Sequence, residues 1–103
     1  MPDSVSQTEV EIKNPTGLHL RPATQIADTA SRFMSDVKIS NGKILVDGKS
    51  IMQISMLGAP AGTRLTITAE GPDAQKAIEA LKDLIEKKLF GEQGQQAEKK
   101  SAE

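Results

Sequence analysis

The chain of 103 residues contains no cysteine, tryptophan or tyrosine, and phenylalanine occurs only at Phe33 and Phe90. Without cysteine there is no disulfide, no thiolate nucleophile and no cysteine metal site, which fits a reducing compartment. With so few aromatics the chain cannot present the stacked bases of an RNA-recognition sheet, and its core has to be aliphatic. No apolar run approaches the roughly 20 residues that span a bilayer, and residues 1–8 lack the basic-then-apolar pattern of a secretory signal. An excess of either charge is missing too. Thirteen basic and 14 acidic residues give a formal charge of -1, which argues against a general nucleic-acid or anionic-membrane binder. The expectation is a cytoplasmic protein that engages neither nucleic acid nor membrane.

What is present suits a soluble globular domain: 37% apolar and 26% charged residues. A chain of this length is one domain that buries roughly two-thirds of its unfolded surface. Val10 and Ile12 alternate with charges over 8–13, the pattern of a half-buried strand. Asn14-Pro15-Thr16-Gly17 is a turn cluster. Beyond Leu18-His19-Leu20-Arg21-Pro22, the residues Ala23, Ile26, Ala27, Ala30 and Phe33 share one helical face. Pro22 belongs in the first turn of that helix, where its missing N–H is no loss.

Residues 36–40 read as a strand with Val37 and Ile39 inward, Asn41-Gly42 as a hairpin turn and 43–47 as the return strand. Ser50 opens a short helix over 51–57 that Gly58 stops, and Ser50 with Gln53 matches a capping box. Residues 64–70 alternate sharply. Asp73 is placed to cap the last helix, whose stripe is Ala74, Ala77, Ile78, Leu81, Leu84 and Ile85, reaching toward Leu89. The order is βαββαβα, an α+β class. With one apolar face per strand and one apolar stripe per helix, burial is best met by a four-stranded antiparallel sheet with the helices on one side. Residues 1–90 form the expected domain. Residues 91–103, rich in Gln, Glu and Lys without an apolar period, are expected to be a disordered tail.

His19 is the only histidine, and it falls between a glycine-containing turn and a helix start, at or next to the N-cap. First-turn amides there have no intrahelical partner, the helix end carries about half a positive charge, and phosphate binds well at such an end. Arg21 adds a planar guanidinium for phosphoryl oxygens. Imidazole, with an ordinary pKa of about 6.5, is largely neutral and nucleophilic near pH 7, and the helix end disfavours the imidazolium. A nitrogen–phosphorus bond is labile, as a carrier needs. By position alone, a histidine at a helix start is more often an ordinary surface residue. The assignment rests on the whole run Gly17-Leu18-His19-Leu20-Arg21-Pro22-Ala23, which combines turn, cap site, anion partner and first-turn proline.

That run resembles the active-site signature of the HPr family of histidine-containing phosphocarriers. Lys49-Ser50-Ile51-Met52, Leu57-Gly58 and Thr66-Ile67-Thr68-Ala69-Glu70-Gly71-Pro72-Asp73 match further, in the family's order and spacing, so that the resemblance covers roughly residues 8 to 90. It implies an open-faced β-sandwich with sheet order 1-4-2-3 and three helices on one face. It also implies a monomeric, cytoplasmic component of the phosphotransferase system. Enzyme I, charged by phosphoenolpyruvate, would phosphorylate Nδ1 of His19, and the group would pass to a histidine on a sugar-specific enzyme IIA.

By the same resemblance Arg21 is the electrostatic partner of the phosphoryl group, and Thr16 a small polar residue supporting the histidine's turn. Ser50 matches the serine that an ATP-dependent HPr kinase/phosphorylase modifies in many bacteria, a form read by a catabolite-control transcription factor. A phosphate of charge about -1.5 to -2 is stabilised at a helix N-cap, while a cap role worth about 1 kcal/mol explains Ser50 without modification. Leu20, where the family usually has Ala, and Ile51, Met52 and Ser55 form the implied partner-binding patch. Ile51 and Met52 are expected to be partly exposed.

The resemblance implies a covalent phosphoryl carrier rather than a turnover enzyme, and neither a cofactor nor a metal is expected. No Walker loop or nucleophile triad appears. Two alternatives stand beside a sugar-uptake relay. One is a regulatory or nitrogen-type paralogue that acts by protein binding without sugar transport. The other is a ferredoxin-like binding module without chemistry, although copper chaperones of similar element order need paired cysteines and acylphosphatases need a phosphate loop that this sequence lacks.

Overall fold

The computed structural model describes residues 4–13, 17 and 20–88. Four strands, β1 (Ser4–Glu11), β2 (Asp36–Ser40), β3 (Leu45–Asp47) and β4 (Arg64–Gly71), are interspersed with three helices, α1 (Leu20–Ala30), α2 (Ile51–Ser55) and α3 (Ala74–Asp83), in the order βαββαβα. α3 continues into a single wider π-helical turn, Leu84–Lys88. The sheet order is β1-β4-β2-β3 and every pairing is antiparallel. This is the open-faced sandwich that the sequence led us to expect.

The sharpest alternation in the chain becomes its central strand. Leu65, Ile67 and Ala69 of β4 point to the covered face and are buried. In register beside them lie Val10 of β1 and Val37 and Ile39 of β2. The stripe of α1 (Ala23, Ile26, Ala27, Ala30), Ile54 of α2 and the stripe of α3 (Ala74, Ala77, Ile78, Leu81) close the same aliphatic cluster, with Phe33 and Leu84 packed at its margin. Each fully buried Ile or Leu contributes about 1.5–3 kcal/mol. The other face of the sheet is mostly polar apart from exposed Val5 and Leu45, with surface pairs such as Arg64–Glu9 at 3.3 Å that add little.

Several boundaries differ from the sequence expectation. β1 starts at Ser4 rather than Thr8, because its backbone pairs with β4 along the whole length, from Ser4 opposite Gly71 to Glu11 opposite Arg64. Its outer edge is held as well: Lys82 donates to the Glu9 carbonyl (3.0 Å) and the Glu11 amide donates to the Glu86 carboxylate (3.0 Å). β3 starts at Leu45 rather than residue 43. Asn41 Oδ1 accepts from the amides of Lys43 (2.8 Å) and Ile44 (3.0 Å), so a side chain organises a longer loop in place of a two-residue turn. α2 ends at Ser55, with Met56 as its C-cap, and Gly58 follows at φ +53°.

Asp73 stands at the N-cap of α3 but makes no side-chain cap bond. Its carboxylate instead accepts from the Ser35 hydroxyl, the Ser35 amide (3.0 Å) and the Met34 amide (3.0 Å). The Ser35 hydroxyl, followed by the Met34 amide, holds the carboxyl below its ordinary value. Ser35 is buried, so its donors need partners inside the protein. Gly71 makes the corner possible: at φ +153°, a Cβ there would lie 2.5 Å from Ser35 Oγ and 2.6 Å from Ser35 Cα.

Leu89, the boundary at residue 90 and the tail 91–103 lie outside the described residues. Among the described residues no helix is long and apolar enough to cross a membrane.

Candidate functional site

The first helical residue of α1 is Leu20, so residue 19 directly precedes the helix in the chain. Pro22 is the third residue of α1 and buried, in the first turn where its lack of an N–H is harmless. The approach to the helix is fixed from the other side by Gly17. This residue is buried, has φ +74°, and a Cβ on it would come within 2.6 Å of the Ala59 carbonyl oxygen and 3.0 Å of Pro60 Cα. Glycine alone fits both the positive φ and the close approach. Gly17 is thereby seated against the loop between α2 and β4. His19 and Thr16 themselves lie outside the described residues.

Arg21 is exposed in the first turn of α1, and that turn carries no acidic residue. A cationic side chain and the positive end of the helix therefore stand together in a turn that itself carries no acid. Beside them Leu20 is 65% exposed.

α2 packs against α1 and anchors itself through buried Ile54. Its outward residues are strongly exposed for their type: Met52 at 79%, Met56 at 67% and Ile51 at 37%. Leu20 and these three are half of the large apolar side chains exposed among the described residues, and they stand on two helices that pack together. Ser55, expected in the same patch, is half-buried, and its hydroxyl donates to the Ile51 carbonyl at 2.9 Å within its own helix.

Ser50 is the N-cap of α2: its backbone is extended (φ -110°, ψ 115°) and its Oγ accepts from the Gln53 amide at 3.2 Å. The box closes on one side only. Gln53 Oε1 accepts from the Asp47 amide (2.9 Å), while the Ser50 amide donates to the Asp47 carbonyl (3.1 Å). Next to Ser50, Lys49 donates to the Phe33 carbonyl at 2.9 Å, in the turn after α1. A cation suits the carbonyl-rich end of a helix. Sequence reasoning did not single out Lys49, nor the contact of Gly17 with Ala59 and Pro60. The Gly17 turn was visible in the sequence, but nothing there names the partner loop.

An exposed helix start with a first-turn arginine can stabilise an anionic group carried on the preceding residue. The apolar side chains around it can be covered by another protein surface.

The family model of the PTS HPr component phosphorylation site matches residues 6–87. Among characterised relatives, the phosphocarrier protein HPr of Cupriavidus necator is 42% identical over 86 residues, covering 84% of this chain and 96% of that protein. The phosphoryl donor subunit DhaM of the PEP-dependent dihydroxyacetone kinase of Providencia stuartii is 39% identical over 79 residues. That match covers 77% of this chain, and the chain spans only 17% of the length of DhaM. Among solved structures, HPr-C-His from Thermoanaerobacter tengcongensis superposes with a TM-score of 0.77 at 46% identity, covering 84% of this chain and 96% of that one.

Proposed function

The chain belongs to the HPr family, and on that premise we propose that it is a phosphocarrier of the phosphotransferase system with His19 as its phosphoryl acceptor. The observation that carries this reading is the start of α1 at Leu20, with the family's histidine position immediately before it and Arg21 in its first turn. In the reaction, the lone pair of His19 Nδ1 attacks the phosphorus of a phosphohistidine on enzyme I. The new nitrogen–phosphorus bond forms as the donor's breaks, and the donor imidazole is released. Transfer to enzyme IIA repeats the exchange with His19 as the leaving group. Arg21 and the amides of the first turn stabilise negative charge on the transferred oxygens. Because charge is neutralised in both directions, the carrier accepts and releases with similar ease.

Leu20, Ile51 and Met52, with Met56 beside them, form the surface that enzyme I and enzyme IIA cover in turn. Ser55 contributes at its margin and Thr16 supports the turn. The sugar-uptake relay, the cytoplasmic location and the monomeric state belong to the same proposal. Ser50 adds a regulatory site: a phosphate there, set by an HPr kinase/phosphorylase, places negative charge on the docking surface and is read by a catabolite-control transcription factor. Its half-exposed hydroxyl at a helix start supports this reading.

The test is incubation with phosphoenolpyruvate and enzyme I followed by peptide mass spectrometry. A phosphoryl group is expected on the peptide holding residue 19, with complete loss of labelling in His19→Ala. Acid-labile phosphate retained by that variant overturns the assignment. Charging by enzyme I without onward transfer to any enzyme IIA would instead identify the paralogue reading, a relay without sugar transport.

A further inference from the structure

We propose that Met52 and Met56 are a peroxide-sensitive oxidation site that switches off the docking end of the molecule; the inference rests on the docking reading given above. The chain has no cysteine, so its sulfur chemistry is that of thioethers. Met52 and Met56 stand on or beside the five-residue helix α2, both largely exposed, as are Ile51 on the same helix and Leu20 on α1, against which α2 packs. Their sulfur atoms are open to a small oxidant without any unfolding.

The step balances with a peroxide as the second reactant. The thioether lone pair attacks one peroxide oxygen, the sulfur–oxygen bond forms as the oxygen–oxygen bond breaks, and a proton moves to the departing oxygen. Sulfur is oxidised by two electrons, and hydrogen peroxide is reduced to water. The resulting sulfoxide is polar and chiral. A flexible apolar side chain that adapts to several partners becomes one that resists burial beneath them. The fold does not depend on either side chain, because α2 is held by buried Ile54 and followed by buried Leu57. Oxidation therefore acts on association and leaves the domain intact. It is reversible, since methionine sulfoxide reductases restore the thioether with reducing equivalents from thiols.

Met34 is an internal control. It is 81% exposed, but it lies in the turn beyond the far end of α1, a helix about 15 Å long.

The experiment treats the full chain with dilute hydrogen peroxide, locates the sulfoxides by peptide mapping, and measures binding to enzyme I by titration calorimetry before and after. Each protein is compared with its own untreated form. Oxidised wild type is expected to bind roughly tenfold or more weakly, the scale of one lost buried apolar side chain, and the reductases should restore binding. Met34→Leu should lose as much as wild type. The double variant Met52→Leu, Met56→Leu should show no further loss on treatment, whatever its starting affinity. Undiminished binding by wild type oxidised at both residues overturns the proposal, and so does an equal loss in the double variant. An untreated chain that fails to bind enzyme I overturns the docking reading itself and the proposal with it. That failure is recognisable because it is present before any peroxide is added.

Discussion

At the end of the molecule where α1 begins, Leu20, Met52 and Met56 stand in solvent. Where α1 finishes, the chain turns through Phe33 and Met34 into buried Ser35, which Asp73 and Gly71 enclose. Two helix starts use similar residue types differently. Ser50 caps α2 in the ordinary way. Asp73, placed just as well to cap α3, turns its carboxylate to the Ser35 and Met34 donors. An unpaired buried backbone donor such as the Ser35 amide costs about 1–3 kcal/mol, more than the ~1 kcal/mol of a surface cap. The Ser50 cap thus serves its own helix, whereas the Asp73 carboxylate ties the start of α3 to the turn after α1.

Substitutions can break this contrast. The largest effect on stability is expected from Gly71→Ala, which forces a Cβ into Ser35 at a positive φ. Strain and overlap together should cost about 3 kcal/mol, measured by urea unfolding, while the fraction that remains folded still accepts phosphate. Next is Asp73→Asn. The carboxyl's value is lowered from 3.8 in the fold, so its stabilisation is present above the unfolded value and lost as pH falls through the folded one. Wild type should lose stability below about pH 4 more steeply than the variant, which starts lower at neutral pH. Parallel pH profiles would mean that the corner does not depend on the carboxylate.

At the opposite end the effects move to chemistry and association. Arg21→Ala should slow phosphoryl transfer about tenfold, or ~1.4 kcal/mol, with an unchanged Tm; rapid-quench rates equal to wild type would remove its role. The smallest change is expected at Ser50, where Ala should cost at most about 1 kcal/mol. Asp at the same position keeps a good cap yet should weaken enzyme I binding, by charge alone. Equal affinity would leave Ser50 as a cap and nothing more.

The parts of the fold that the sequence made legible are those where burial writes a period into it. Leu65, Ile67 and Ala69 alternate, and Ala74, Ala77, Ile78 and Leu81 recur at helical spacing, because each has one covered side. Ser4 to Gln7 carry no such mark. They are strand because the backbone of β4 pairs with them, and pairing leaves little trace in polar side chains. The hairpin signal of Asn41-Gly42 was sound as a turn, but the double acceptor role of Asn41 lengthened it. At the site, Gly17 and Pro22 followed from local rules, while the exposure of Ile51 and Met52 was expected beside the family resemblance and not from any period in the sequence. The seating of Gly17 on Ala59 and Pro60 joins segments far apart in the chain, which no local rule reaches.

One further consequence follows from the way α3 grips β1. An edge strand ordinarily exposes one row of its backbone groups, yet the Glu9 carbonyl and the Glu11 amide on this strand are taken by Lys82 and Glu86. Deuterium uptake into the Glu11 amide should therefore be slow, and it should proceed at the pace at which the last helix lifts away. First strand and last helix would then open as a single unit, leaving the rest of the sheet protected for longer.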